Sequence, residues 1–369
     1  MVLALFLFAV ASLMLVADAL YHRADLSHVP RPADGTDAVR HYRKYFKGLS
    51  YKPLDWFFGP MAFAWSYLFI LAAVLAFHNT DSWALKFLAI LFVTGRFRAL
   101  QEIGHHAAHG SLGPNRRFNE IITNLLYQFP AFMPEIRRRH QVHVIEHHHS
   151  VNTEDDPDRL EMVEKGFVPG ISAMQYWLGV FRPLTPMGIA ERLKECWGYI
   201  VIDMWNWNLL LRILSVATVV TLFAYFGFYT ELLFLYVVPV LITYPLFYWL
   251  AHIALHRWFA TCETDIPYHQ RELALGRPTD FPGAIGAVVK HNIFPFGDSY
   301  HLAHSLFPAV RWNYLPAVDN LMKRDSPEYA NHGSVGLFFG SKGKPSALGE
   351  LRLRMIQNDG KSLSEPQVA

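Results

Sequence analysis

The sequence predicts an all-α integral membrane protein: two transmembrane helical hairpins plus an N-terminal span, with a helical cap on the cytosolic side. Three observations predict it. Only 17% of the residues are charged, against roughly a quarter in a soluble domain. Apolar stretches of near-spanning length recur in pairs. Lys and Arg gather in the long connecting segments and are missing from the tight turns.

A membrane span needs roughly 20 mostly apolar residues. The stretch 2–17 has no basic residue before it. Asp18, Tyr21 and His22 stand where a signal-peptide cleavage site would need small residues, so it reads as a retained span or anchor. Stretches 60–77 and 83–100 form the first hairpin around the turn 78–82. Stretches 209–228 and 232–250 form the second around 227–231. The apolar patch 121–132 is too short to cross and contains Pro130, which suits an interfacial or re-entrant helix. Arg40, Arg43, Lys44 and Lys47 precede the first hairpin, and Arg116, Arg117 and Arg137–Arg139 follow it. The positive-inside bias therefore makes those segments cytosolic and puts both turns on the other face. The Arg137–Arg139 triplet reads as part of that bias, or as a headgroup contact, rather than as a substrate clamp. This divides the chain into 1–20 (anchor), 21–59 (interfacial segment), 60–320 (membrane domain) and 321–369 (tail). The tail is polar from about Gly340 and is expected to be loosely ordered.

Composition removes several classes of function. A net charge of +2 with no basic, aromatic-interleaved run gives no reason to expect nucleic acid. Cys196 and Cys262 are the only cysteines, which excludes a disulfide scaffold, a Cys-ligated zinc and an iron–sulfur cluster. The outlier is histidine, with 19 residues.

On the predicted topology the histidines fall into four groups on one face. His105 and His109 follow the third span. His140, His143, His147 and His148 lie in the next cytosolic segment. His252 and His256 close the fifth span, and His301 and His304 come later. Residues three or four apart share a helical face, about 5–6 Å between Cβ atoms, so each group presents its rings together. So many imidazoles exceed the three or four ligands of one zinc, and imidazole equally suits iron. Glu102, Glu146, Asp155, Asp156 and Asp298 flank the groups and can orient ring N–H groups. His106 and His149 read as supporting residues. His22, His28, His41, His78, His269 and His332 read as structural or solvated.

His105-x-x-x-His109, His143-x-x-x-His147-His148 and His301-x-x-His304, with Asp156-Pro157-Asp158 and Phe307-Pro308 near them, resemble the histidine boxes of the membrane fatty acid desaturase superfamily. The resemblance covers about 60–320. It implies a cytosolic centre of two irons, activation of O2 and attack on an unactivated C–H bond of a fatty acyl or lipid chain, with desaturation first among the outcomes. Hydroxylation and terminal-alkene-forming decarboxylation occur on the same scaffold. The family's extra histidine favours His252 or His256, and Asn292 falls near a family asparagine that contacts iron through water. The third box departs from the pattern: Ser305 stands where the family has a second histidine, and His256 or His291 is the expected substitute. Electrons would come from an external donor of ferredoxin or cytochrome b5 type with its reductase. The rival from another class is a zinc-dependent membrane lipid hydrolase. A transporter is disfavoured, since the spans read as almost free of charge.

Overall fold

The computed structural model of the chain describes residues 1–262, 266–341 and 343–356, and it is mostly helical. Apolar α1 (Val2–Tyr21) leads to the short amphipathic α2 (Ala38–Phe46), whose first turn is capped by Asp37. Next come α3 (Asp55–His78), which packs along α1, and α4 (Trp83–Ala108), joined by a four-residue turn. Ser82 caps α4 by accepting the Leu85 N–H. α5 (Arg116–Thr123) runs into a π-helical turn, Asn124–Gln128, and folds back on α4. The patch 121–132 thus buries Tyr127, Gln128 and Phe129 inside the protein and leaves Ile121, Leu125 and Leu126 exposed.

α6 (Ile136–Arg139) passes without a break into a π-helical stretch, His140–His147, and a final α-turn, His148–Ser150. α7 (Pro157–Glu164), α8 (Ala173–Val180) and α9 (Pro186–Asp203) lead to the second hairpin, α10 (Trp207–Tyr225) and α11 (Tyr229–Leu255). Gly227, at φ 71°, makes the turn between them, a conformation glycine adopts without cost. α11 contains Pro239 and Pro245. Two π-helical stretches, Leu233–Val237 and Pro239–Thr243, absorb the hydrogen bonds these residues cannot make.

The remaining elements build the cap: α12 (Tyr268–Leu275), β1 (Thr279–Asp280), α13 (Gly283–Asn292), α14 (His301–Leu306), α15 (Leu315–Asp325), α16 (Pro327–Asn331), β2 (Ser334–Val335) and α17 (Ala347–Ile356). β1 and β2 pair in parallel. One apolar core, around Phe63, Trp65 and Leu100, joins α1, α3, α4 and α11. A second, around Trp249, Trp258 and Leu348, joins the end of α11 to the cap.

Among the described residues four helices are long and apolar enough to cross a membrane: α1, α3, α10 and α11. α4, the expected third span, is 26 residues long but carries Lys86, Arg96 and Arg98. Arg96, Arg98, Gln101 and Glu102 are buried against other helices, so the protein itself shields them. The span is therefore not almost free of charge, as the sequence suggested. The two tight turns meet at one end of the molecule, where His78 Nδ1 lies 3.0 Å from Glu231 Oε1. At the other end, Arg311 donates to Asp18 at 3.0 Å and sits 3.1 Å from Asp55, while His22 Nε2 lies 2.6 Å from Asp55. That network ties α1 to the cap.

The tail corrects another expectation. Far from being loose after Gly340, the chain forms α17, which buries Leu348, Leu351 and Met355 in the second core. Leu348 and Leu351 are three apart and Met355 four further on, the spacing of one helical stripe. Residues 357–369 of the predicted tail lie outside the described residues.

Candidate metal centre

The last turns of α4 present His105 and His109 from one face, as spacing four on an α-helix requires. The next group behaves differently. Across His140–His147 the backbone is π-helical, with the His148 N–H bonded five residues back to the His143 carbonyl. That register brings His148 onto the face of His143, ring centroids 5.0 Å apart, while His147 stays at 5.3 Å. His140 Nδ1 lies 2.9 Å from the Ala108 carbonyl, and its nitrogens are not among those that cluster with His105, His109, His143 and His304. His256 follows the end of α11, and α14 carries His301 and His304.

These side chains close into a ring of imidazoles. His105 and His143 have Nε2 atoms 2.8 Å apart, and His304 lies 4.6 Å from both His105 and His109 between centroids. Ligand-capable atoms of His105, His109, His143 and His304 all lie within 4.8 Å of one another. On the far side, His147 faces His256 at 5.3 Å, and His256 and His301 have Nε2 atoms 3.0 Å apart. His301 and His304 close the circuit at 6.0 Å.

Carboxylates hold the rings from behind. Glu102 accepts from His105 Nδ1 at 2.8 Å, and Asp156 accepts from His147 Nδ1 at 2.8 Å. Either contact directs the ring's Nε2 inward. Arg98 pairs with Glu102 and, at 2.5 Å, with Asp298, whose other oxygen faces His301 Nδ1 at 3.6 Å. Tyr268 Oη lies 3.0 Å from His148 Nδ1. Burial, reinforced by neighbouring imidazoles, holds His109, His143, His148, His256 and His304 well below the ordinary histidine range. They are neutral at pH 7, the form that binds metal. His147 is the exception: burial lowers it, but the Asp158 and Asp156 carboxylates outweigh that and push it up to about 9.

The donor set fits transition-metal ions. The inward nitrogens of His109, His148 and His304 are buried with no hydrogen-bond partner among the described residues. Such orphaned polar atoms are costly unless something binds them. Imidazole nitrogens bound to one ion at about 2.1 Å and at right angles would stand about 3 Å apart, close to the His105–His143 and His256–His301 separations.

Other predicted residues are not brought in. His252 lies between Trp249 and Trp258, with Nε2 3.2 Å from the Asp158 carbonyl. Glu146 is exposed and accepts from Gln141, because the π register points it outward. Asp155 is exposed as well. Asn292 packs on Gly95, where a Cβ would sit 2.1 Å from its Oδ1; that is ten residues, about 15 Å of helix, before His105. His291 is exposed beside it. His106 supports from outside, with Nε2 3.0 Å from the Phe296 carbonyl. Sequence reasoning missed Arg98, Tyr268 and Glu272. Glu272 is fully buried, and burial, only partly offset by His147, raises its carboxyl to about 7. A lone Glu on a short helix gave no signal. A charge inside an apolar span, as at Arg98, did.

Comparison with known proteins agrees with this geometry. A family model described as fatty acid desaturase matches residues 81–334. Dihydrorhizobitoxine desaturase of Bradyrhizobium elkanii is 27% identical over 342 residues, which covers 86% of this chain and 91% of that protein.

Proposed function

Since the chain belongs to the fatty acid desaturase family, we propose that its imidazole ring holds two irons and uses O2 to oxidise an unactivated C–H bond of an acyl or lipid-derived chain, with desaturation as the outcome. The observation that carries this reading is the set of partnerless imidazole nitrogens buried in the ring. His105, His109, His143, His148 and His304 would hold one ion, and His147, His256 and His301 the other. When bound, iron supplies the oxidising power that no amino-acid side chain has.

The chain's own residues do the rest. Glu102 and Asp156 keep two rings in the tautomer that offers Nε2. Arg98 pairs with both Glu102 and Asp298 and so compensates their charge in a buried place. The cores around the ring exclude water. Electrons would arrive from an external ferredoxin or cytochrome b5 type donor, because the two cysteines cannot hold a cluster. α1, the α3–α4 hairpin and the α10–α11 hairpin would cross the membrane, leaving the ring on the cytosolic face. The relative's name favours desaturation over hydroxylation or decarboxylation, and the number of imidazoles weighs against a single-zinc hydrolase.

Metal analysis of the purified protein, paired with O2-dependent turnover, tests the reading. About two irons per chain are expected. One zinc per chain with no O2 consumption would overturn it.

A further inference from the structure

The Arg137–Arg139 triplet, which by charge alone reads as a membrane-orientation feature, divides in three dimensions. Arg137 points outward and pairs with Glu120 at 2.8 Å. Arg139 points inward. Its Nε is buried without an acceptor, and among the described residues no carboxylate pairs with it. Glu102 is the carboxylate whose field it feels, and that group is already shared by Arg98 and His105.

Arg139 faces a cavity of about 300 Å³. One wall of this space is the ring itself, at His105, His143 and His301. Arg139, Tyr199 and Tyr248 line the same space. A second space of about 200 Å³ shares Tyr199, Tyr248 and Glu161 with it and continues toward Lys165, Arg182 and Arg192. The room beside the ring is therefore polar and carries charges of both signs, Arg98, Arg138 and Arg139 against Glu102, Asp158, Glu161 and Asp298, and its volume is near the lower end for small-molecule sites.

The apolar space lies elsewhere. A cavity of about 360 Å³ between α3, α10 and α11 is lined by residues such as Leu71, Phe97 and Leu222 and shares no wall residue with the first. A hydrogen-bonded layer stands between them: Tyr244 donates to Gln101 at 2.9 Å and lies 2.5 Å from Tyr127 Oη, and Tyr236 donates to the Pro130 carbonyl. The apolar space and the cavity beside the ring are thus separate in this structure.

We infer that the substrate is a compact molecule with a free carboxylate, bound by the Arg139 guanidinium and oxidised within a few carbons of that group. An unpaired guanidinium beside the ring is matched by a carboxylate, which it can take in a two-pronged hydrogen bond. A thioester or phospholipid ester presents no such anion. This assignment rests on the oxidation reading above and narrows its substrate.

The test is calorimetric binding of free carboxylates from butanoate to octanoate to the full-length, iron-loaded protein in nanodiscs. At least one should bind saturably, its methyl ester should not, and oleate should bind no more tightly. Arg139→Gln should weaken binding about tenfold or more, with Arg139→Lys intermediate. Arg137→Gln, one turn of charge away but facing outward, should bind as wild type does. Esters or inorganic phosphate binding as tightly as the carboxylates would overturn the proposal, as would full affinity in Arg139→Gln. If that variant does not fold, the acid-against-ester comparison on wild type decides. Carboxylate binding without iron or O2-dependent turnover would sink the oxidation reading and leave the anion site standing. Iron and turnover with no carboxylate preference would sink the anion site alone.

Discussion

Asp156 accepts from His147 Nδ1 at 2.8 Å with the same oxygen that caps α7 by accepting the Asp158 N–H at 2.9 Å. Its second oxygen accepts the Asn152 N–H at 2.6 Å. The carboxylate that orients the ring is thus fixed by the backbone on both sides, and a helix start and a ligand support are one group.

Asp156→Asn keeps the shape but cannot accept from both partners as before. Iron affinity should fall about 10–100-fold, the usual cost of losing such an outer partner. His105→Ala and His304→Ala should lose iron and activity outright, yet still insert, since insertion depends on α1, α3, α10 and α11. Metal analysis on membrane-extracted protein checks all three variants, and full iron in either alanine variant would refute the ligand assignment.

Sidedness follows from the meeting of the two turns at His78 and Glu231. Single cysteines at Thr80 and Thr230, in a background lacking Cys196 and Cys262, should both label from the non-cytosolic side. Label reaching either one from the cytosol would refute the topology.

Ser305 is fully buried with an unpartnered Oγ, and its carbonyl accepts from Tyr268 at 2.9 Å. An imidazole there has no room, so Ser305→His should cost about 1–3 kcal/mol of stability and lower iron content. His256, 3.0 Å from His301, is the ring placed to stand in for the missing one. His256→Ala should therefore lose iron as severely as His301→Ala, whereas His291→Ala should keep it. Wild-type iron in His256→Ala would leave a vacant position as the better account.

Glu350 gathers Arg257 at 2.9 Å together with Arg277 and Arg354. Burial raises its carboxyl, but the three guanidiniums outweigh this and hold it far below the carboxylate range. A depressed folded pKa means that the stabilisation is present above the unfolded value, near 4.5, and is lost as pH falls below it. Glu350→Gln should lower stability by about 3–5 kcal/mol at pH 7, because it strands buried cations. The gap in Tm between variant and wild type should shrink below pH 4. A gap independent of pH would contradict the assignment.

The hairpins and the histidine groups were legible because apolarity and spacing are local signals. His105/His109 and His301/His304 sit as α-helical spacing dictates. In the second group the π register, a property of the backbone and not of the residue pattern, decides which rings stand together, and it sets His148 beside His143. Arg98 stood out as a charge in an apolar span, but its second partner is 200 residues away, and Arg139 carried meaning only through having no carboxylate. α17 was missed because Gly, Ser and Lys before it masked a short apolar stripe.

The Asp18–Arg311 bond joins positions 293 residues apart. Its carboxylate therefore leaves the ribosome long before its guanidinium. Until then Asp18 and Asp55 share only His22, so docking α1 in its final position on α3 would bury two carboxylates without their guanidinium. Closing so long a loop makes this a late event in assembly. A chain halted before residue 311 would leave α1 free to slide, so a helix made early is among the last to be secured.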